Sequence, residues 1–174
     1  GHRPGDNLYG NSLVALDVKT GKRKWHFQMV HHDIWDYDTP AQPTLFELER
    51  DGRTIPALAQ PTKMGHLFIL NRETGEPLFP VEERPVPQDW EVAGEYLAPT
   101  QPFPVKPAPL HPGGLTPDDA WGLTFWDRGK CRDSIAALHN EGIFTPLAEQ
   151  PTLLFPGSLG GANWGGGAYS PQLQ

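Results

Sequence analysis

Short apolar runs separated by polar turns dominate the first half of the chain. Leu13-Val14-Ala15-Leu16 runs into Asp17-Val18-Lys19-Thr20-Gly21. Lys22 to Gln28 follows, with Trp25 and Phe27 on one face at a period of two. This reads as a hairpin whose turn needs Gly21 for a positive φ. The phrase recurs as Leu67-Phe68-Ile69-Leu70-Asn71-Arg72-Glu73-Thr74-Gly75 followed by Glu76 to Val81, with Phe79 where Trp25 stood. Two further strands are expected between the copies, Thr44 to Leu48 and Thr54 to Gln60, joined at Asp51-Gly52. Four short antiparallel strands per repeat is the pattern of a propeller blade. A chance pair of hairpins is the plainer alternative.

The repeat stops near Pro80. Prolines at 80, 85, 87, 99, 102, 104, 107, 109, 112 and 117 argue against a central strand or helix through this region. It also holds Trp90, Tyr96, Phe103 and Leu110, so an ordered excursion is expected rather than a free linker. Thr116-Pro117-Asp118-Asp119 is a helix start, predicting a short helix to about Leu123. A second helix is predicted from about Arg128 to Asn140, with Cys131, Ile135 and Leu138 on one face and Gly142 near its end. Thr152 to Phe155 reads as another strand, and Ala168 to Gln172 as the opening of a third copy. The resulting division is blade strands over about 8–81, an excursion over about 82–142 and a next blade over about 150–174.

Composition narrows the function classes. With 21 Asp+Glu against 14 Lys+Arg, the net charge of −7 argues against nucleic acid and offers no polybasic patch to a membrane. The 20 Pro and 19 Gly fit many turns, while 6 Trp and 37% hydrophobic residues support a packed core. One cysteine, Cys131, excludes an internal disulfide and a cysteine-rich metal site. No run is long and apolar enough for a membrane span. The opening residues read as mid-domain loop, and two blades do not close a ring, so the chain is expected to be part of a larger propeller.

One stretch concentrates chemistry. His31-His32-Asp33-Ile34-Trp35-Asp36-Tyr37-Asp38-Thr39-Pro40-Ala41-Gln42-Pro43 packs carboxylates, imidazoles and large aromatics together. It is too polar for a core strand and too aromatic for a solvated loop, and reads as a rim loop on a rigid scaffold. Adjacent histidines on an extended backbone point to opposite faces, which disfavours a two-histidine metal site. On the residues alone, Asp36 is a candidate base or a loop acid capping a turn. Lys63, on the same footing, reads as a solvated lysine at a strand start.

The pattern Ala15-x-Asp17-x-x-x-Gly21-x-x-x-Trp25 resembles the tryptophan-docking motif of quinoprotein propellers. Arg3 to Tyr9, His31 to Pro43, Thr62-Lys63-Met64-Gly65-His66-Leu67-Phe68, Cys131-Arg132, Glu141 to Pro146 and Phe155 to Gly166 extend that likeness. The chain thus resembles the dehydrogenases that use pyrroloquinoline quinone (PQQ), and within them the membrane-bound glucose dehydrogenase branch. The resemblance implies an all-β fold, a partial β-propeller of about two blades from an eight-bladed ring, with a Pro-rich excursion and short helices. It implies PQQ over a divalent ion, Ca²⁺ or Mg²⁺, at the central axis.

By the same resemblance, Asp36 is the base that takes the substrate hydroxyl proton and a candidate ligand to the ion, whose main ligands fall before residue 1. Lys63 is the cation on the quinone oxygens, where reduction builds negative charge. Asn163 and Trp164, in a Gly-rich loop, lie near the quinone, with a plain inter-blade turn as the alternative. Asp38 stays open. An Asp two residues after the base marks lanthanide use in the methanol branch, but sugar-oxidising relatives carry it too. A structural role or a calcium/magnesium site is preferred. Asp33, His31 and His32 are expected to orient the loop.

The implied function is oxidation of a sugar or polyol hydroxyl, glucose-type, with electrons passed to ubiquinone or another acceptor. The alternatives are a quinoprotein acting on simple alcohols, a non-catalytic propeller scaffold, and a decayed or truncated copy. The implied location is the periplasm, with inner-membrane attachment through segments outside this chain.

Overall fold

The computed structural model describes residues 3–89 and 92–173, so Trp90 lies outside the described residues. Strands β1 (Ser12–Leu16) and β2 (Arg23–Gln28) form an antiparallel pair with Ala15 opposite Trp25. β3 (Thr44–Arg50), β4 (Arg53–Pro61) and β5 (Leu67–Asn71) form a three-stranded antiparallel sheet. β6 (Val81–Pro85) and β7 (Thr100–Pro104) form a second two-stranded ladder. A 3₁₀ turn at Pro117–Asp119 and helix α1 (Phe125–Ala136) complete the regular elements among the described residues.

The turns of the two phrases fold alike. Asp17 Oδ1 accepts from Lys19 N at 3.1 Å and Thr20 N at 2.9 Å, and Asn71 Oδ1 accepts from Glu73 N at 2.8 Å and Thr74 N at 3.3 Å. Each turn closes on a glycine at positive φ, Gly21 at 68° and Gly75 at 79°. The turn is therefore one local structure written twice. Trp25 joins the copies: its ring lies against Gly75, where a Cβ would come within 2.6 Å, and its Nε1 donates to Arg72 O at 3.2 Å.

Several expectations are corrected. The strand expected over Glu76 to Val81 is only a bridge between Leu70 and Pro77, and the next strand starts at Val81. The Pro-rich region does contain strands: Pro85, Pro102 and Pro104 lie in the β6–β7 ladder. Each strand of a two-stranded ladder keeps a free edge, where a residue without an N–H costs nothing. Helix α1 starts at Phe125, not Arg128, because Thr124 is the cap. Its hydroxyl accepts from Asp127 N at 3.2 Å. It also stops at Ala136, short of Asn140, and Gly142 lies in a later turn. The first expected helix is reduced to the 3₁₀ turn, and Thr152–Phe155 to a single bridge from Thr152 to His139. Residues 168–172 form no strand, and the Tyr169 ring packs on Phe46 at 4.7 Å instead.

The core gathers where β4 and β5 meet the loop after β2. Leu58, Met64, Phe68 and Leu70 supply the sheet side, and Met29, Trp35, Tyr37 and Phe144 close over it. Burial of this apolar surface is the main favourable term holding the irregular segments in place.

Candidate functional site

The loop 31–43 has no regular secondary structure, yet its aromatics are among the most buried groups in the molecule. Trp35 stacks beside Tyr37 at 6.2 Å, and the Phe144 ring meets Trp35 edge-on at 5.1 Å. Trp35 Nε1 donates to Thr145 O at 2.7 Å, and Tyr37 OH donates to Ile143 O at 2.9 Å. Burial, and then the Asp33 charge, push the Tyr37 phenol up to about 12, so it stays a neutral donor. Asp33 accepts from Asn11 Nδ2 and Trp35 N, both at 2.9 Å. Burial raises its carboxyl above the usual range, against the pull of those bonds.

The histidines go separate ways. His31 turns to Gln28 at 2.7 Å and Glu83 at 3.1 Å, both partly exposed contacts. His32 is buried, with Nδ1 2.7 Å from Gly5 O. Among the described residues no group of three or more His, Cys, Asp or Glu is placed to hold a metal ion.

The carboxylates flanking Tyr37 are exposed, whereas Tyr37 itself is buried. The Asp36 side chain is 70% exposed and that of Asp38 50%. Asp36 itself sits at φ 63°, a left-handed conformation that is strained for a residue with a Cβ and is held by the anchored neighbours on either side. Both carboxylates face Lys63. Lys63 lies in the tight connection between β4 and β5, where Thr62 N donates to His66 O at 3.0 Å and Gly65 N to Thr62 O at 2.9 Å. Its Nζ donates to Asp36 O at 2.9 Å, to Asp36 Oδ2 at 3.2 Å and to Asp38 Oδ1. Burial pulls the Lys63 ammonium down, but the bonds from Asp38 and Asp36 outweigh it and hold the group above the ordinary lysine range.

The Gly-rich loop serves Lys63 directly. A Cβ on Gly160 would come within 2.6 Å of Lys63 Cγ, and Gly161 N donates to Lys63 O at 2.7 Å. Only residues without side chains fit against the lysine stem there. Asn163 and Trp164 follow on the same loop but share no hydrogen bond or ring contact with Asp36 or Lys63 among the described residues. Asn163 Nδ2 donates to Leu159 O at 2.7 Å, and its Oδ1 accepts from Trp164 N at 2.9 Å. The Trp164 ring is exposed. The structure thus brings Asp36 and Lys63 together, adds Asp38 and Gly160 to them, and leaves Asn163 and Trp164 apart. Gly160 carried no separate signal in the sequence beyond its place in a glycine cluster.

Residues 1–174 match a family described as "PQQ: Glucose/ethanol/alcohol dehydrogenase, beta-propeller domain". The chain is 43% identical to quinoprotein glucose dehydrogenase of Escherichia coli over 98% of this chain and 21% of that protein. It is 42% identical to the glycerol dehydrogenase large subunit of Gluconobacter thailandicus over 96% of this chain and 23% of that one. The chain therefore spans about a fifth of the length of these relatives. A solved quinohemoprotein alcohol dehydrogenase from Pseudomonas putida superposes with a TM-score of 0.50 at 22% identity, over 91% of this chain and 18% of that one. That likeness concerns the fold, and agrees with an all-β chain forming part of a propeller. On the match along its whole length, the chain belongs to the PQQ-dependent glucose/ethanol/alcohol dehydrogenase β-propeller family.

Proposed function

We propose that the protein carrying this chain is a PQQ-dependent dehydrogenase that oxidises a hydroxyl of a sugar or polyol and passes the electrons to ubiquinone or a similar acceptor. The observation that carries the reading is the pairing of a buried, fixed ammonium with an exposed carboxylate across the Asp36–Lys63 contact. The Lys63 stem is packed against Gly160, and its ammonium is fixed by the exposed Asp36 carboxylate. This fits an anionic quinone whose oxygens need a positive partner. Asn163 and Trp164 complete the proposed cofactor contacts from the neighbouring loop.

When bound, PQQ supplies the two-electron acceptor for the carbinol carbon. The chain's own residues handle the proton. Asp36 Oδ2 is engaged by Lys63, and Oδ1 has no partner among the described residues. Oδ1 is the atom that takes the substrate hydroxyl proton. Lys63 would be the residue that holds the cofactor's oxygens, supplying a positive partner as negative charge builds on them.

The described residues do not by themselves fit a divalent ion: Asp36 is the one ligand assigned here, and no group of three candidate ligands exists among them. Calcium or magnesium at the site, a periplasmic location, and membrane attachment through other segments all belong to the proposal. So does the division into blade strands over about 8–81, an excursion over about 82–142 and a further blade over about 150–174.

The test is a dye-linked oxidation assay on the whole protein, loaded with PQQ and Ca²⁺ or Mg²⁺, with glucose, glycerol and ethanol offered side by side. Glucose or glycerol turnover that depends on PQQ is expected. Turnover of ethanol alone would move the substrate class to simple alcohols. No PQQ-dependent turnover on a broad panel would overturn the enzymatic reading.

A further inference from the structure

The Lys63 ammonium has three contacts, and they are unequal. Asp36 reaches it chiefly through its backbone carbonyl at 2.9 Å, with Oδ2 further away at 3.2 Å. Asp38 Oδ1 makes the shortest contact. The lysine side chain is only 8% exposed, so its charge needs a carboxylate at hand. Asp36 is a poor permanent partner, because a base that accepts a proton stops being an anion. A counterion for Lys63 that lasts through the reaction must come from elsewhere.

Asp38 is built for that. It lies two residues from Asp36 across Tyr37, whose hydroxyl is pinned to Ile143 O at 2.9 Å. The backbone turns at Asp36, whose φ is 63°, and both carboxylates reach the same ammonium. We propose that Asp38 is the positioning residue for Lys63: its carboxylate carries the ammonium, leaves Asp36 free for the substrate proton, and is itself taken out of the ligand set of any bound ion.

The inference rests on the functional reading above, and its test separates the two. PQQ binding to the apoprotein is followed by quenching of tryptophan fluorescence, alongside kcat and KM for the sugar. Asp38→Asn is expected to weaken PQQ binding about tenfold and to lower kcat by on the order of 10- to 100-fold at nearly constant KM, since the lysine then swings onto Asp36. Asp38→Glu, which keeps the charge, should recover PQQ affinity to within about threefold of wild type. In a Lys63→Ala background the Asp38→Asn change should add less than about twofold, because it acts through the lysine.

Additive losses in the double variant would overturn the proposal. So would a defect in Asp38→Asn that disappears on raising the Ca²⁺ concentration, which would make Asp38 an ion ligand. Wild-type PQQ affinity and kcat in Asp38→Asn would overturn it while leaving the functional reading intact. Failure of the wild-type apoprotein to bind PQQ would remove that reading, and this inference with it.

Discussion

Two stretches of this chain carry large aromatic residues and meet opposite fates. In the loop 31–43, Trp35 and Tyr37 are 2% and 0% exposed. Around the start of α1, Trp121, Phe125 and Trp126 are 73%, 75% and 68% exposed, and the helix itself has no buried residue. Aromatic density does not explain the difference. Partners do. Residues 143–145 bring the Phe144 ring and two carbonyl acceptors to the first stretch, whereas Phe125 and Trp126 stack chiefly on one another at 4.3 Å. A loop anchored in this way can hold Asp36 in a strained conformation and two carboxylates against a buried lysine. The helical stretch has no such anchoring and carries none of the assigned site residues.

The contrast breaks most visibly at the indoles. Trp35→Ala should destabilise the protein by about 3–5 kcal/mol, as removal of a fully buried aromatic does. Trp126→Ala should change stability by no more than about 0.5 kcal/mol. Thermal and denaturant midpoints of the two variants check this directly. Equal effects would mean that the helix segment is packed in the whole protein as firmly as the loop.

Acid sharpens the comparison next, through His66 behind the site. Burial first, then the positive charges of His111 and Arg84, push its imidazole down to about 4. The unfolded chain binds a proton near 6.5, so between these values the unfolded state holds more protons and stability falls as the pH falls. The full loss is on the order of 3 kcal/mol between pH 6.5 and pH 4. Denaturant midpoints across that range should show it, and His66→Phe should flatten it. An unchanged slope in the variant would assign the acid sensitivity elsewhere.

A smaller effect belongs to the loop anchor itself. Tyr37→Phe keeps the ring but leaves Ile143 O without its donor, at a cost of about 1 kcal/mol. The same change should lower kcat more than it lowers the melting temperature, because the neighbouring carboxylates lose their fixed frame. A parallel fall in both would make Tyr37 a purely structural residue.

How much of this could be read in advance depended on sequence distance. The Gly21 and Gly75 turns were legible because their chemistry lies within five residues. The Asp51-Gly52 turn between β3 and β4 was legible for the same reason. The contact of Trp25 with Gly75 was not, since the repeat shows two like turns but not which side chain reaches which turn. The strands at Val81–Pro85 and Thr100–Pro104 were not, because prolines that break a central strand are harmless in a two-stranded ladder. The early start of α1 was hidden in one cap residue, Thr124. At the site, Asp36 and Lys63 were singled out together by family likeness. The Asp38 contact was not, since nothing local says which of two nearby acids a lysine 25 residues later will choose. The acceptors at Ile143 and Thr145, separated from their donors by 106 and 110 residues, left no local signal either.

The most direct test of the account is sugar turnover by the whole protein with Asp36→Asn, loaded with PQQ and Ca²⁺ beside the wild type. The account predicts that kcat falls by about 10²–10⁴-fold, as loss of a general base does, while the melting temperature and PQQ affinity stay close to wild type. Turnover retained within a few-fold of wild type at full PQQ occupancy would contradict it, and the proton would then have to leave through a different group.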